Sequence, residues 1–138
     1  MAYLKRIAQY HVAANKFFTY GELLNLLPPS APVGTVTVKW PDYKAMDQPV
    51  ELPSVLGALW RAQDGHLGVV LCNITDEPAA YPYAVDAPAH GLPASGAYRL
   101  EHSAPAGRSY IGEQPAGVVR RTENLAPREI RVLEIAAI

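Results

Sequence analysis

Two periodicities divide this chain. From Thr35 onward, apolar and polar positions alternate with a period of two. Val36, Val38 and Trp40 alternate with Thr35, Thr37 and Lys39, the pattern of a half-buried strand of β-branched residues. The strongest stretch is Ser54 to Pro78, which reads as a β-hairpin apolar on both faces. Asp64-Gly65 offers a two-residue turn, because Gly takes a positive φ without a Cβ clash and Asp tolerates one. The predicted register pairs Gln63 with His66, Trp60 with Val69, Leu59 with Val70, Ala58 with Leu71 and Gly57 with Cys72. One face then carries Leu56, Ala58, Trp60, Val69 and Leu71; the other carries Val55, Leu59, Val70, Cys72 and Ile74. Such a hairpin belongs centrally in its sheet, with a layer over each side. Shorter runs surround it at Val50–Pro53, Ala80–Val85, Gly96–His102, Arg108–Ile111, Gly117–Arg121 and Ile130–Ile135. Pro49, Pro53 and Pro82 suit edges, and Thr75–Pro78 and Leu125–Arg128 carry turn chemistry. About eight short strands with no helix between them predict an all-β fold, an antiparallel two-layer β-sandwich with one N-terminal α-helix.

Before residue 19 the period is helical. Across Ala2–Phe18, residues Leu4, Ile7, Ala8, Ala14 and Phe18 share one arc, with His11 and Asn15 inside it. Tyr3, Tyr10 and Phe17 lie beside them at heptad spacing, and Lys5, Arg6, Gln9, Ala13 and Lys16 hold the opposite side. The apolar arc covers roughly half the circumference, against the ~100° stripe that one covering layer needs. Met-Ala-Tyr also provides no N-cap. Both features predict an element cut from a larger protein, or one that packs against a second copy with Tyr3, Tyr10 and Phe17 as the interface. Tyr20-Gly21 should end the helix, with Gly in the left-handed conformation. Leu23–Leu27 reads as a short helical turn or an extended arm, and Pro28, Pro29 and Pro32 force an extended connector. The organisation is therefore a helix and arm over 1–27, a proline-rich linker over 28–34 and a sandwich over 35–138.

Composition narrows the function. The 138 residues are 49% hydrophobic and 18% charged, with a formal net charge of −1, so there is no basic excess to neutralise phosphates and nucleic acid is not an expected partner. No apolar run approaches the length of a membrane span, and no signal-peptide pattern is visible; the compartment stays open. Cys72 is the single cysteine, and in so apolar a strand it reads as an inert thiol.

Chemistry-bearing patterns are sparse. Asp76 and Glu77 are turn acids, Asp42, Asp47 and Glu51 flank a connector, and no pair is placed across a cleft as glycoside hydrolysis requires. His11, His66, His90 and His102 show no metal-ligand spacing, so neither a metal nor another cofactor is expected. The serines lack a nucleophile-elbow setting. Asn73-Ile74-Thr75 matches a glycosylation sequon, but at the end of a core strand the asparagine should bond to backbone. Aromatic residues remain the one candidate ligand surface: Trp40, Tyr81, Tyr83 and Tyr110 could stack on sugar rings. Trp60 reads as core.

The sequence Phe17-Phe18-Thr19-Tyr20-Gly21-Glu22-Leu23 resembles the segment that leaves the last helix of a (β/α)8-barrel glycosidase, before a proline-rich linker and a C-terminal β-sandwich. The sandwich signatures of such proteins are matched by Trp60-Arg61, Asp64-Gly65, Leu71-Cys72-Asn73, Thr75-Asp76-Glu77-Pro78 and Val132-Leu133-Glu134. The resemblance covers most of the chain in order. It implies a non-catalytic accessory domain of a glycoside hydrolase-like protein, scaffolding an upstream catalytic barrel that would hold the catalytic carboxylates. The alternative is an autonomous carbohydrate-binding module using the exposed aromatics.

Overall fold

A computed structural model describes residues 2–39 and 49–138. Helix α1 (Ala2–Ala13) and a single turn α2 (Asn15–Phe18) are followed by strands β1 (Glu22–Leu26), β2 (Thr35–Lys39), β3 (Pro49–Pro53), β4 (Val55–Arg61), β5 (Leu67–Asn73) and β6 (Ala79–Asp86). After a 3-10 turn at Pro88–His90 come β7 (Ala97–Ala104), β8 (Gly107–Pro115), β9 (Val118–Leu125) and β10 (Ile130–Ala137). The main sheet has six antiparallel strands in the order β1-β4-β5-β10-β7-β8. A β6-β9 ribbon forms the second layer, and β2 and β3 pair as a separate hairpin. The fold is an all-β antiparallel sandwich with an N-terminal helix, as the alternation predicts.

The main core lies between sheet and ribbon. Val55, Leu59, Leu67, Val69, Leu71, Tyr98, Leu100, Leu133 and Ile135 come from the sheet, and Tyr81, Tyr83, Val85, Val119 and Leu125 from the ribbon. A second, smaller core covers the sheet's opposite face. There Ala14, Phe17, Ala62 and Val132 are buried, with Tyr10, Phe18, Trp60 and Val70 packed around them. Both faces of β4–β5 are thus covered, for the reason that both are apolar.

The hairpin register differs from the expected one by a single residue. Trp60 pairs with Gly68, Leu59 with Val69 and Leu56 with Cys72. The loop holds three residues, Gln63 to Gly65, closed by Gly65 N–H to Ala62 O (3.0 Å) and Ala62 N–H to His66 O (2.9 Å). Gly65 sits at φ 84°, the left-handed position that ends such a loop, and Asp64 Oδ1 accepts the His66 N–H at 3.1 Å. One residue of slip exchanges faces on one strand. Val69 and Leu71 therefore join Val55 and Leu59 in the main core, while Trp60 faces the helices and meets Phe18 edge-to-face (5.5 Å, 85°).

The helix region departs from expectation at two points. The predicted single helix is broken at Ala14, whose φ −114° and ψ 32° are not helical. Gly21 does not take a positive φ; it is required by close approach, since a Cβ there would stand 2.5 Å from Phe17 O and 2.8 Å from Arg61 O. Of the two readings of Leu23–Leu27 the extended one holds: residues 22–26 form the edge strand β1, hydrogen-bonded to β4.

Candidate functional site

Aromatic positions decide what surface the fold offers. Tyr81 and Tyr83 are each 1% exposed, so the expectation that they form a sugar-stacking platform is corrected. Along β6 the odd positions face the main sheet, and both rings belong to the core. Tyr81 Oη donates to Leu27 O at 2.5 Å, fitting a notch at Gly57 where a Cβ would meet Leu27 O at 2.6 Å and Tyr81 Oη at 3.0 Å. The Tyr83 hydroxyl is buried with no hydrogen-bond partner among the described residues, and burial pushes its pKa up strongly. Tyr110 alone of the described candidates keeps a free ring, 61% exposed on β8. Trp40 lies outside the described residues.

The Tyr3, Tyr10 and Phe17 stripe turns toward its own sheet, which takes Phe17 out of the expected interface, while Tyr3 and Tyr10 stay partly exposed. Phe17 is fully buried, and its ring lies flat enough over Gly68 that a Cβ there would stand 2.7 Å from Cδ1. Tyr10 is half-buried against the same cluster. Tyr3 Oη lies 3.1 Å from Cys72 Sγ; that hydrogen bond, with burial, pushes the phenol up to about 12. An apolar groove of about 250 Å³ runs beneath α1, bounded by Tyr3, Ile7, Tyr10, His11, Phe18, Val70, Cys72 and Ile130. Among the described residues, no carboxylate lines it.

Among the described residues, charged side chains build two networks around buried carboxylates. The first centres on Glu134, whose side chain is 3% exposed in β10 on the helix side of the sheet. Lys16 Nζ donates to its Oε1 at 2.5 Å, His66 Nδ1 lies 2.6 Å from the same oxygen, and Arg108 Nη2 donates to Oε2. Lys16 also reaches Asp64 Oδ2 at 2.7 Å and His66 Nδ1 at 3.0 Å. Arg108 continues to Glu101 at 3.6 Å, and Glu101 to Arg99 at 3.4 Å. Burial alone would raise the Glu134 pKa; the bonds from Lys16 and His66 and the nearby charges hold it below the carboxylate range. Asp64, His66 and Glu134 place donor atoms within 4.8 Å of one another, a spacing that could hold a cation. The cation among them is the Lys16 ammonium. A carboxylate held ionised by such partners is poorly suited to act as a general acid.

The second cluster lies between the layers. Glu123 Oε1 accepts from Arg121 Nε (2.8 Å) and Oε2 from Arg131 Nη1 (2.9 Å), with His102 Nε2 at 3.6 Å. Arg131 Nη2 turns to Glu129 at 2.6 Å. The sequon asparagine also serves the fold. Fully buried, Asn73 donates to Glu77 O (2.7 Å) and Ala126 O (3.0 Å) and accepts from the Thr75 N–H (3.0 Å) and hydroxyl (2.8 Å), pinning two turns together.

Sequence reasoning passed over both carboxylates. Glu134 sits at an inward position among Ile130 and Val132, and a charge in the middle of an apolar run is the available signal for a buried ion pair. Glu123 falls beyond Arg121, where the sequence reading ended the strand. No protein-family model matches the chain, and no curated protein matches it significantly.

Proposed function

We propose that this chain is a non-catalytic accessory β-sandwich that braces a neighbouring domain, of the kind that follows the barrel in glycoside hydrolase-like proteins. The observation that carries this reading is the distribution of apolar groups. Two of the rings able to stack on sugars are core residues, whereas exposed large apolar side chains concentrate in the N-terminal segment: Leu4, Ile7, Val12, Tyr20, Leu23 and Leu26. That segment is the one whose sequence resembles a last barrel helix and its exit. Exposed apolar side chains concentrated in one terminal segment of a small domain suit a contact with a second folded body. Both buried carboxylates are neutralised by internal cations, so their role is structural.

The test starts from the reading frame upstream of Met1. An encoded barrel supports the reading, and the two-domain protein should then melt at a higher temperature than this chain alone, with amides of 2–26 newly protected. A stop codon directly upstream, or a two-domain protein whose halves melt independently, would end it. The rival reading, an autonomous carbohydrate-binding module, keeps one specific support: Tyr110 stands exposed on the face shared with Glu101, its register partner on β7. Affinity electrophoresis against soluble polysaccharides decides between them. Retardation abolished by Tyr110→Ala favours the rival.

A further inference from the structure

The two helical pieces are attached to the sheet very differently. In α2, Phe17 is fully buried over Gly68, and Lys16 bonds to Glu134, Asp64 and His66. In α1 no residue is buried. Among the described residues, its polar ties to the sheet and its loops are the Tyr3 hydroxyl on Cys72 and one exposed bond from Arg6 Nη1 to Arg128 O at 3.2 Å. A groove of about 250 Å³ separates it from the sheet. No acidic residue stabilises its first turn, and a twelve-residue helix is marginal without tertiary packing. Between the two pieces the backbone leaves the helical region at Ala14, itself buried. That is a joint next to a fixed turn.

We propose that α1 is a hinged strap, which swings off the sheet about Ala14 as a unit while α2 stays docked. Opening uncovers Val70, Ile130 and the single thiol, Cys72, without disturbing the sandwich core on the sheet's other face. Elements with few buried contacts open sub-globally, at far lower cost than whole-domain unfolding. The strap controls access to that apolar strip, whichever function the domain serves.

Hydrogen exchange of the intact chain, read by mass spectrometry across a urea series, tests this. Amides of 2–13 should be protected relative to an unstructured peptide yet exchange at least about a hundredfold faster than those of β5 and β10. Their rates should change little with urea, and α2 should follow the sheet. Tyr3→Phe should raise exchange in 2–13 alone and speed alkylation of Cys72. Three results would each overturn the proposal: exchange of 2–13 within tenfold of β5 and β10, opening of 2–18 as one block, or rates in 2–13 equal to those of an unstructured peptide.

Discussion

Glu123 offers a sharp test of how the two layers are held. Its side chain is 4% exposed and meets Arg121 from its own strand and Arg131 from the facing sheet, at 2.8 and 2.9 Å. Burial pushes its pKa up, but the donors around it, His102, Arg121 and Arg131, more than reverse this and hold it at about 2 rather than 4.5. A folded-state pKa below the unfolded one contributes stability that is full above the unfolded value and is lost as pH falls toward the folded value. At about 1.4 kcal/mol per pKa unit the ion cluster contributes about 3 kcal/mol at pH 7, of which about 2 kcal/mol is gone by pH 3. Glu123→Gln keeps the shape and removes the charge, leaving Arg121 and Arg131 without their shared carboxylate. Urea unfolding should place this variant about 3 kcal/mol below the parent at pH 7. The gap should close by about 2 kcal/mol between pH 7 and pH 3. Asp64, Asp76 and Glu134, whose pKa values are also lowered, titrate in both proteins and cancel in the difference. A gap that stays constant from pH 7 to pH 3 would refute the argument, because the carboxylate would then be protonating alike in folded and unfolded chains.

Four further substitutions probe the packing. Gly68→Ala drives a methyl into the Phe17 ring and should cost about 1–3 kcal/mol, read as a lower urea midpoint at an unchanged slope. Tyr81→Phe removes the donor to Leu27 O and should cost about 1–2 kcal/mol, read by thermal melting; Tyr83→Phe removes a buried hydroxyl without a partner among the described residues and should be neutral or stabilising in the same assay. Asn73→Ala abandons two carbonyls and the Thr75 N–H and should cost about 3 kcal/mol. If it melts within a degree of the parent, the two turns do not depend on that side chain.

Much of the fold was legible because alternation is a local signal. The strands from Thr35 to Ile135 form where alternation places them, although β8 runs on to Pro115 and β9 to Leu125, past the predicted ends at Ile111 and Arg121, and the apolar runs of Leu67–Asn73 and Val55–Arg61 do lie within a sheet covered on both sides. Register was not local. The pair Asp64-Gly65 fits a two-residue loop and a three-residue loop equally well, and only the contacts of Phe17 with Gly68 and of Tyr81 with Gly57 discriminate between them. The same limit explains the tyrosines. Tyr81 and Tyr83 share a face of β6 with Val85, but which side meets the other layer depends on pairing with β9, forty residues or so further on. Gly21 could be read as a conformational stop because sequence cannot show that Arg61 O approaches it. The charged clusters were hardest to see. Lys16, His66, Arg108 and Glu134 come from four separate elements.

Those clusters follow from a mismatch between the layers. The main sheet has six strands, and the ribbon facing it has two. A two-stranded layer cannot cover the whole width of six, so its centre can be apolar and its margin cannot. Tyr81, Tyr83 and Val85 fill the middle, and Glu123, Arg121, Arg131 and His102 stand where half-exposed cations can still reach water. The opposite face repeats the arrangement on a smaller scale. Phe17 and Phe18 cover Gly68, Val70, Val132 and Trp60; one step further toward β8 the cover ends, and Glu134, Glu101, Arg108 and Arg99 take over. A carboxylate at each boundary tolerates burial because cations approach it from the open side. The charges therefore mark where the covering layer stops on each face.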